Sequence, residues 1–294
     1  MTGNASCNGS KVSMTVYMLT YCQSMESLYG STLTFKTLRI GFPTAQVRVM
    51  DNHSVPEAAA LIRREAEEVG CTYSYLKVPV SHHSWLGSLL LDPEVHGTVI
   101  ILDPDMCFWQ TCENWHFRKL LAGRLMPAFH NEFSECLDMP RIHTSFWWIH
   151  DAAAFRDRLI REYRKTSIGY LDPFVPYIFR HNGVRYKFDT GGNLYAAMQD
   201  DIYCFGEREL ECFDHLMVGT HLEIVRPWLN EKDQAYIQLL HDHAKNDHTK
   251  LKGLWKQQDF YCNVHAPRPA EDALCLPRAA RNLEEATTSG PAAR

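Results

Sequence analysis

No stretch of this 294-residue chain approaches the roughly 20 consecutive apolar residues that a membrane-crossing helix needs. The opening MTGNASCNGS is polar, and Val12 to Tyr21 is too short and too mixed for the apolar core of a signal peptide, so none is expected. The ten cysteines (Cys7, Cys22, Cys71, Cys107, Cys112, Cys136, Cys204, Cys212, Cys262 and Cys275) contain no CxxC pair, which argues against a zinc ribbon. Positive charge is not in excess. Thirty basic residues against 35 acidic ones give a net charge of −5, which excludes a general polyanion-binding surface but not a local basic patch. No internal repeat is visible. A Gly-rich phosphate loop carrying Lys or Arg is missing after the first apolar run, where Thr20-Tyr21-Cys22-Gln23 makes a poor phosphate cradle. These absences lead to the expectation of a cytoplasmic protein with reduced thiols.

What is present is material for one large core, with 45% hydrophobic residues. Residues 1–10 are expected to be disordered, 11–265 to form a single domain, and 266–294, rich in Ala, Pro, Arg and Glu, to be a disordered tail. In the first hundred residues, strands are read at Val12–Thr20, Gln46–Met50, Cys71–Val78 and Thr98–Leu102. Helices are read between them. Met25–Ile40 is closed by Gly41 in the C′ role and by Pro43. Val55–Val69 is opened by the capping-box pattern Ser54-Val55-Pro56-Glu57 and closed by Gly70. His83–Leu91 is the third. Strands alternating with helices imply right-handed crossovers and a mostly parallel sheet, whose ligands bind beyond the carboxyl ends of the strands. Asp51 and the Thr20-Tyr21-Cys22 loop sit at such ends.

The fourth strand carries the clearest chemistry. Val99-Ile100-Ile101-Leu102 reads as a buried strand, and it stops at Asp103-Pro104-Asp105. Residues i and i+2 of a strand point to the same side, so the two acids can converge on one ligand. Pro104 has no N–H and ends the ladder. Two carboxylates at a sheet rim are a natural seat for a divalent cation, and Mg²⁺ in particular is often held by carboxylates plus substrate phosphates. The plainer alternative is an Asp-Pro turn that only caps the strand.

The second half is more mixed. Trp115–Ala122 reads as a short helix, Phe129–Asp138 as irregular, and Ile142–His150 as a strand. Asp151 then caps a helix to about Lys165, and Thr166–Arg180 is a loop with one short extended piece. Asn182-Gly183 is a hairpin turn between Tyr177–Arg180 and Val184–Phe188. Asp189-Thr190-Gly191-Gly192-Asn193 leads into a helix through Met198, Ile202–Phe205 is a strand, Phe213–Glu223 is compact and mixed, and Trp228 to about Lys256 is charged helix.

In this order of elements and motifs, over roughly residues 12 to 225, the chain resembles the GT-A glycosyltransferases, particularly the family 2-like branch. The likeness rests on the Thr-Tyr loop after the first strand, on Val49-Met50-Asp51-Asn52-His53-Ser54, and on Leu102-Asp103-Pro104-Asp105 in the place of the family's DxD signature. A strand and helix, Asp189 at a helix start, a further strand and His215 complete it. The resemblance implies a Rossmann-like α/β fold: a mostly parallel central sheet with helices on both faces and a mixed acceptor-side half. Residues 11–110 would bind the nucleotide sugar, 111–227 would serve the acceptor, and 228–265 would be C-terminal helices. It implies a metal-dependent hexosyltransferase-like enzyme, with a UDP-sugar as the expected donor and Mn²⁺ or Mg²⁺ as the cofactor. Asp105 would ligate the metal directly, and Asp103 would reach the ribose or the metal. His215 would complete the metal site, with His221 a second candidate. Asp51, Thr20 and Tyr21 would contact the nucleotide; the plainer alternatives are an Asx-turn for Asp51 and a strand-end hydrogen bond for Thr20. Asp189 stands where inverting members have a Glu-Asp pair whose Asp is the general base, but Phe188 replaces the Glu, and Asp189 could simply cap the following helix. Asp200 and Asp201 are alternatives for the base, and with none of them the mechanism would be retaining.

Other features have plainer roles beside functional ones. Trp147 and Trp148 point to opposite sides of a strand; one of them could stack on a sugar, but core is the better reading for both. Trp85 and Trp109 could line the donor site or pack. His241, His243 and His248 read as the solvated face of a charged helix. The acceptor is open among glycan, small molecule, protein and a hydroxymethylated DNA base. Nucleic acid is not favoured, since its obvious basic cluster (Arg156, Arg158, Arg161, Arg164 and Lys165) fits a solvated helix face. Nucleotidyl transfer at a two-carboxylate metal site, and a non-catalytic sugar-nucleotide-binding module, are the competing classes.

Overall fold

The computed structural model describes residues 13–131, 135–163, 174–216 and 231–253. The expected N-terminal segment 1–10, His221, Arg164, Lys165 and the tail 266–294 lie outside them. The first half alternates as the sequence implies. The strands are β1 (Met14–Thr20), β2 (Gln46–Asp51), β3 (Thr72–Tyr75) and β4 (Thr98–Leu102), and the helices α1 (Leu28–Thr32), α2 (Leu38–Gly41), α3 (Pro56–Glu68) and α4 (His82–Leu91). All three strand pairings, β1 with β2, β1 with β4, and β2 with β3, are parallel. The chain continues through β5 (Met106–Phe108), β6 (Leu121–Met126), β7 (Phe129–Asn131), β8 (Cys136–Asp138), β9 (Arg141–Ile149), α5 (Ala152–Tyr163), β10 (Tyr177–His181), β11 (Val184–Phe188) and α6 (Gly192–Met198). It ends with β12 (Ile202–Cys204), α7 (Glu207–Leu210), β13 (Phe213–His215) and α8 (Glu231–Asn246).

Seven strands form the central sheet in the order β12-β6-β9-β4-β1-β2-β3, with β9 antiparallel to both its neighbours and the other pairs parallel. Strand side chains alternate between two apolar layers. Val16, Met18, Val47, Val49, Ile100, Leu102, Phe146 and Trp148 pack with Phe35, Leu38, Ala58 and Ile62 from α1 to α3 and the segments joining them. Val99, Ile101, Trp147 and Ile149 pack on the opposite face with Trp85, Leu86, Phe155 and Leu194 from α4 to α6. The fold is thus an α/β sandwich with helices on both faces of a mostly parallel sheet. Trp147 and Trp148 are both buried, one in each layer, and truncating either to Ala would cost about 3–5 kcal/mol.

A second sheet, β10-β11-β8-β7, packs beside the first. Its hairpin turn has Asn182 at φ 48° and Gly183 at φ 80°, the left-handed pair of a type I′ turn. Tyr177, Phe179, Tyr186 and Phe188 form one aromatic face of this sheet. A two-stranded ladder joins β13 to β5.

Several expectations are corrected. Met25–Ile40 is not one helix: it breaks into α1, a 3₁₀ turn at Leu33–Lys36 and α2. The break lets Thr34 Oγ1 accept from Met106 N (2.8 Å) and Thr37 Oγ1 accept from Phe108 N (2.9 Å), tying the segment to β5. Gly41 is not a C′ residue. It ends α2 where a Cβ would lie 2.6 Å from the Phe108 ring. The Ser54 capping box is not formed, because the Ser54 hydroxyl accepts from Cys22 N (2.9 Å) instead. No helix forms over Trp115–Ala122. Leu121 and Ala122 are fully buried in β6, and Trp115 packs on Phe146 and Phe205. Part of the irregular Phe129–Asp138 stretch is strand, as β7 and β8.

Gly191 precedes α6 at φ 87°, and a Cβ there would lie 2.3 Å from the Ile142 carbonyl oxygen. Gly191→Ala is therefore expected to lower stability by about 3 kcal/mol through strain and clash, measured as a drop in the calorimetric melting temperature. An unchanged melting temperature would contradict this packing.

Candidate active site

The Asp103-Pro104-Asp105 turn leaves the carboxyl end of β4 and is fixed through its backbone from three sides. Asp103 N donates to the Ser145 carbonyl (2.9 Å) in β9. Thr34 Oγ1 donates to the Asp103 carbonyl (3.0 Å) and Thr34 N to the Pro104 carbonyl (2.9 Å). Leu216 N donates to the Asp105 carbonyl (3.2 Å). The backbone amides and carbonyls being so committed, both carboxylates are free to face the cavity. The antiparallel pairing of β5 with β13 sets His215 opposite Met106. This puts His215 Nε2 3.2 Å from Asp105 Oδ1 and 3.6 Å from Asp103 Oδ2.

One ligand atom from each of Asp103, Asp105 and His215 lies within 4.8 Å of the others. Two carboxylate oxygens and one imidazole nitrogen, converging at this spacing, fit a divalent cation such as Mg²⁺ or Mn²⁺. The three residues line a cavity of about 420 Å³. The rest of its wall comes from Leu19 at the end of β1 and Tyr21 after it, Gly30 and Ser31 in α1, Asn52 after β2, His82 in α4, Arg141, His143 and Thr144 in β9, and Asp189 and Thr190 after β11. It therefore opens at the carboxyl ends of β1, β2 and β4, where parallel α/β sheets hold ligands.

Burial raises the Asp103 carboxyl, and nearby Asp105 adds to the rise, while His215 and His82 oppose it. Burial lowers His82 and carries His143 well below the usual histidine range, helped by His215, Arg141 and Arg124. Both rings are therefore neutral near pH 7. The Cys107 thiol in β5 is pushed up to about 12 by burial, so it is a packing group and not a nucleophile.

Of the residues singled out in the sequence, Tyr21, Asp103, Asp105, Asp189 and His215 share this cavity. Thr20 and Asp51 do not reach it. Thr20 is fully buried at the end of β1, and its hydroxyl has no hydrogen-bond partner among the described residues. Asp51 is also fully buried. Its Oδ1 accepts from Ser54 N (2.8 Å) and its Oδ2 from the Tyr73 hydroxyl (2.9 Å), the local turn reading of this acid. Asn52 takes the wall position instead. Its amide exchanges two hydrogen bonds with Val80 (2.8 Å each), which anchors the entry to α4 and so places His82.

Asp189 faces the cavity with its carboxylate engaged. Oδ2 lies 2.6 Å from Arg141 and 3.8 Å from Lys187, and Oδ1 accepts from Thr190 N (2.9 Å). The preceding Phe188 stacks on Tyr177 in the aromatic face of the small sheet, so no acid could stand there without being buried. Asp201 pairs with Arg158 (2.7 Å), and the Asp200 carbonyl accepts from Lys119, both outside the cavity wall. Trp85 and Trp109 pack and do not line the cavity: Trp85 stacks on His82, and Trp109 Nε1 donates to Asp214 (2.6 Å). His241 is not on a solvated face; it lies half-buried against the Tyr29 ring. Two of the three arginines of α5 are held structurally, Arg156 by the carbonyls of Asp92 and Val95 and Arg158 by Glu162 and Asp201.

Sequence reasoning missed Asn52, His82, Arg141 and His143. A signal for two of them was available. Arg141 and His143 flank buried Ile142 at the start of β9, so both point to the face opposite Ile142, at the head of a stretch chosen for its apolar residues.

Comparison with known proteins finds distant likenesses. No family model matches the chain, and no curated protein matches it in sequence. Among solved structures, it is similar to the glycosyltransferase GlyE of Streptococcus pneumoniae TIGR4, at 13% identity and a TM-score of 0.39, covering 67% of this chain and 46% of that one. It is also similar to a nucleoside-diphosphate-sugar pyrophosphorylase of Vibrio cholerae RC9 (7% identity, TM-score 0.39, 71% of this chain and 99% of that). A third is the mannosyltransferase PcManGT of Pyrobaculum calidifontis, solved with GDP-Man and Mn²⁺ (13% identity, TM-score 0.35, 92% and 80%). The chain spans less than half the length of GlyE, and likeness at this level carries no chemistry. Among the described residues, no helix is long and apolar enough to cross a membrane.

If the triad is a metal site, Asp105→Asn and His215→Gln should each weaken Mn²⁺ binding at least about tenfold by isothermal titration calorimetry. Asp51→Ala should leave Mn²⁺ affinity unchanged while costing about 2–4 kcal/mol of stability, since it strands Ser54 N and the Tyr73 hydroxyl. Equal Mn²⁺ affinity in all four proteins would remove the metal assignment.

Proposed function

We propose that this protein is a metal-dependent glycosyltransferase that moves a sugar from a nucleotide-sugar donor, a UDP-sugar as first choice, to an acceptor hydroxyl. The observation that carries the reading is the convergence of Asp103, Asp105 and His215 on one cavity at the carboxyl rim of a parallel sheet. The three side chains would hold Mn²⁺ or Mg²⁺, the imidazole nitrogen favouring Mn²⁺. When bound, such a cation neutralises the charge that builds on the departing diphosphate. Tyr21, Asn52 and Ser31 line the side of the cavity nearest β1 and β2, the natural side for the nucleotide. The 11–110 segment would thus supply the donor side, and β9 with the 189–192 turn the acceptor side.

Asp189 is the proposed general base, which makes the reaction inverting. It stands on the cavity wall, where Arg141 and Lys187 hold Oδ2 and Thr190 N holds Oδ1, which fixes the carboxylate in place beside an incoming acceptor hydroxyl. Nucleotidyl transfer is the weaker reading. The Cys22 amide at the end of β1 is spent on Ser54, and no cationic side chain stands in that loop to cradle a triphosphate. A nucleic-acid acceptor is disfavoured further by the internal pairing of Arg156 and Arg158.

A panel of nucleotide sugars tested by thermal shift, with and without Mn²⁺, should yield a donor that stabilises the protein only when the metal is present. With that donor, Asp105→Ala should abolish release of the nucleoside diphosphate while the protein remains folded. Full activity of Asp105→Ala would contradict the reading. Release of pyrophosphate would point to nucleotidyl transfer, and retention of the anomeric configuration would remove Asp189 from the role of base.

A further inference from the structure

Resting on the glycosyltransferase reading, we propose that His143 is a substrate-contacting residue whose Nε2–H donates a hydrogen bond to the diphosphate of the donor, and that it is not a fourth metal ligand. The argument begins with the ring's other nitrogen. The backbone amide of Ser145 donates to His143 Nδ1 (3.2 Å), and the Ser145 hydroxyl lies 2.9 Å from the same atom. A backbone N–H can only donate, so Nδ1 accepts and carries no proton. The neutral ring then bears its hydrogen on Nε2. Nε2 has no hydrogen-bond partner among the described residues, and the half-buried ring lines the cavity.

A protonated Nε2 has no lone pair to offer a cation, and the Nδ1 lone pair is already taken. His143 therefore stands beside the metal triad as a fixed donor. Its ring centroid lies 5.1 Å from that of His215. An anionic oxygen completing the coordination of an ion held by the triad would be an immediate neighbour of this N–H. A donor aimed where negative charge develops, at no cost of reorganisation, is the arrangement that stabilises a leaving group. Ser145 reinforces the fit: its carbonyl accepts from Asp103 N (2.9 Å), so one residue orients both the imidazole donor and the first carboxylate.

The tautomer can be read without any ligand. Long-range ¹H–¹⁵N spectra of the metal-free protein should show His143 protonated at Nε2 alone, and a proton on Nδ1 would overturn the proposal. Calorimetric titrations of Mn²⁺ alone, and of UDP and GDP in saturating Mn²⁺, should then be compared for wild type, His143→Phe and His143→Gln. Mn²⁺ affinity should stay within about twofold in all three. Affinity for the nucleoside diphosphate that wild type binds should fall about tenfold or more in His143→Phe. In His143→Gln, whose amide N–H stands near the Nε2 position, it should stay within about threefold. A parallel loss of Mn²⁺ affinity in both variants would make the ring a ligand and overturn the proposal. Normal nucleotide binding by His143→Phe would overturn this role alone, whereas wild type that binds Mn²⁺ but neither nucleotide would sink the glycosyltransferase reading and this role with it.

Discussion

The arrangement depends on how the backbone of residues 103–105 is held. A strand that ends in Asp-Pro-Asp has no ladder left to satisfy its amides and carbonyls, and two adjacent carboxylates repel one another. Thr34 answers the first problem with one amide and one hydroxyl, Ser145 with a carbonyl, and Leu216 with an amide. His215 answers the second by standing 3.2 Å from Asp105 and 3.6 Å from Asp103. Each of these groups comes from a different part of the chain, so the turn forms only when β4, β9, β13 and the segment after α1 are all in place. Desolvation raises the Asp103 carboxyl, a cost that a merely structural turn has no need of and that a cation held by the three side chains would offset.

The same constraint explains local features that look irregular in isolation. The segment that could have been one long helix is broken at Leu33–Lys36 because Thr34 and Thr37 turn their hydroxyls to β5. Gly41 is small because Phe108 of β5 lies against it. Strand β9 runs against its neighbours, which brings the chain back so that Arg141, His143 and Ser145 end beside Asp103. Local helix propensity is worth a few tenths of a kcal/mol per residue, and a handful of buried hydrogen bonds and ring contacts outweighs it.

The sequence made the parallel first half legible because its signals are local. Val99 to Leu102, Gln46 to Met50 and the Asn182-Gly183 turn each carry their structure in neighbouring residues. The pairing of Asp103 with Asp105 follows from strand period alone. Asp189 and Tyr21 also line the cavity. At Asp51 the local signal leaves two roles open. An acid at a strand end suits a ligand and suits a turn equally, and only the positions of Ser54 N and the Tyr73 hydroxyl decide between them. The Trp115–Ala122 segment failed differently: its apolar residues match a helix and a buried strand equally well over so short a run.

By itself the chain determined the alternation of strands and helices, the two carboxylates at the end of the fourth strand, and the burial of Trp147 and Trp148 on opposite faces, because each follows from periods of a few residues. Tertiary structure alone decided that His215 meets those carboxylates from more than a hundred positions away, that Asn52 and not Asp51 lines the cavity, and that His143 lines it with Nδ1 tied to Ser145. Those choices depend on strand pairing and on which hydrogen-bond partners arrive first-hand at each polar group, and neither is encoded in any contiguous stretch of residues.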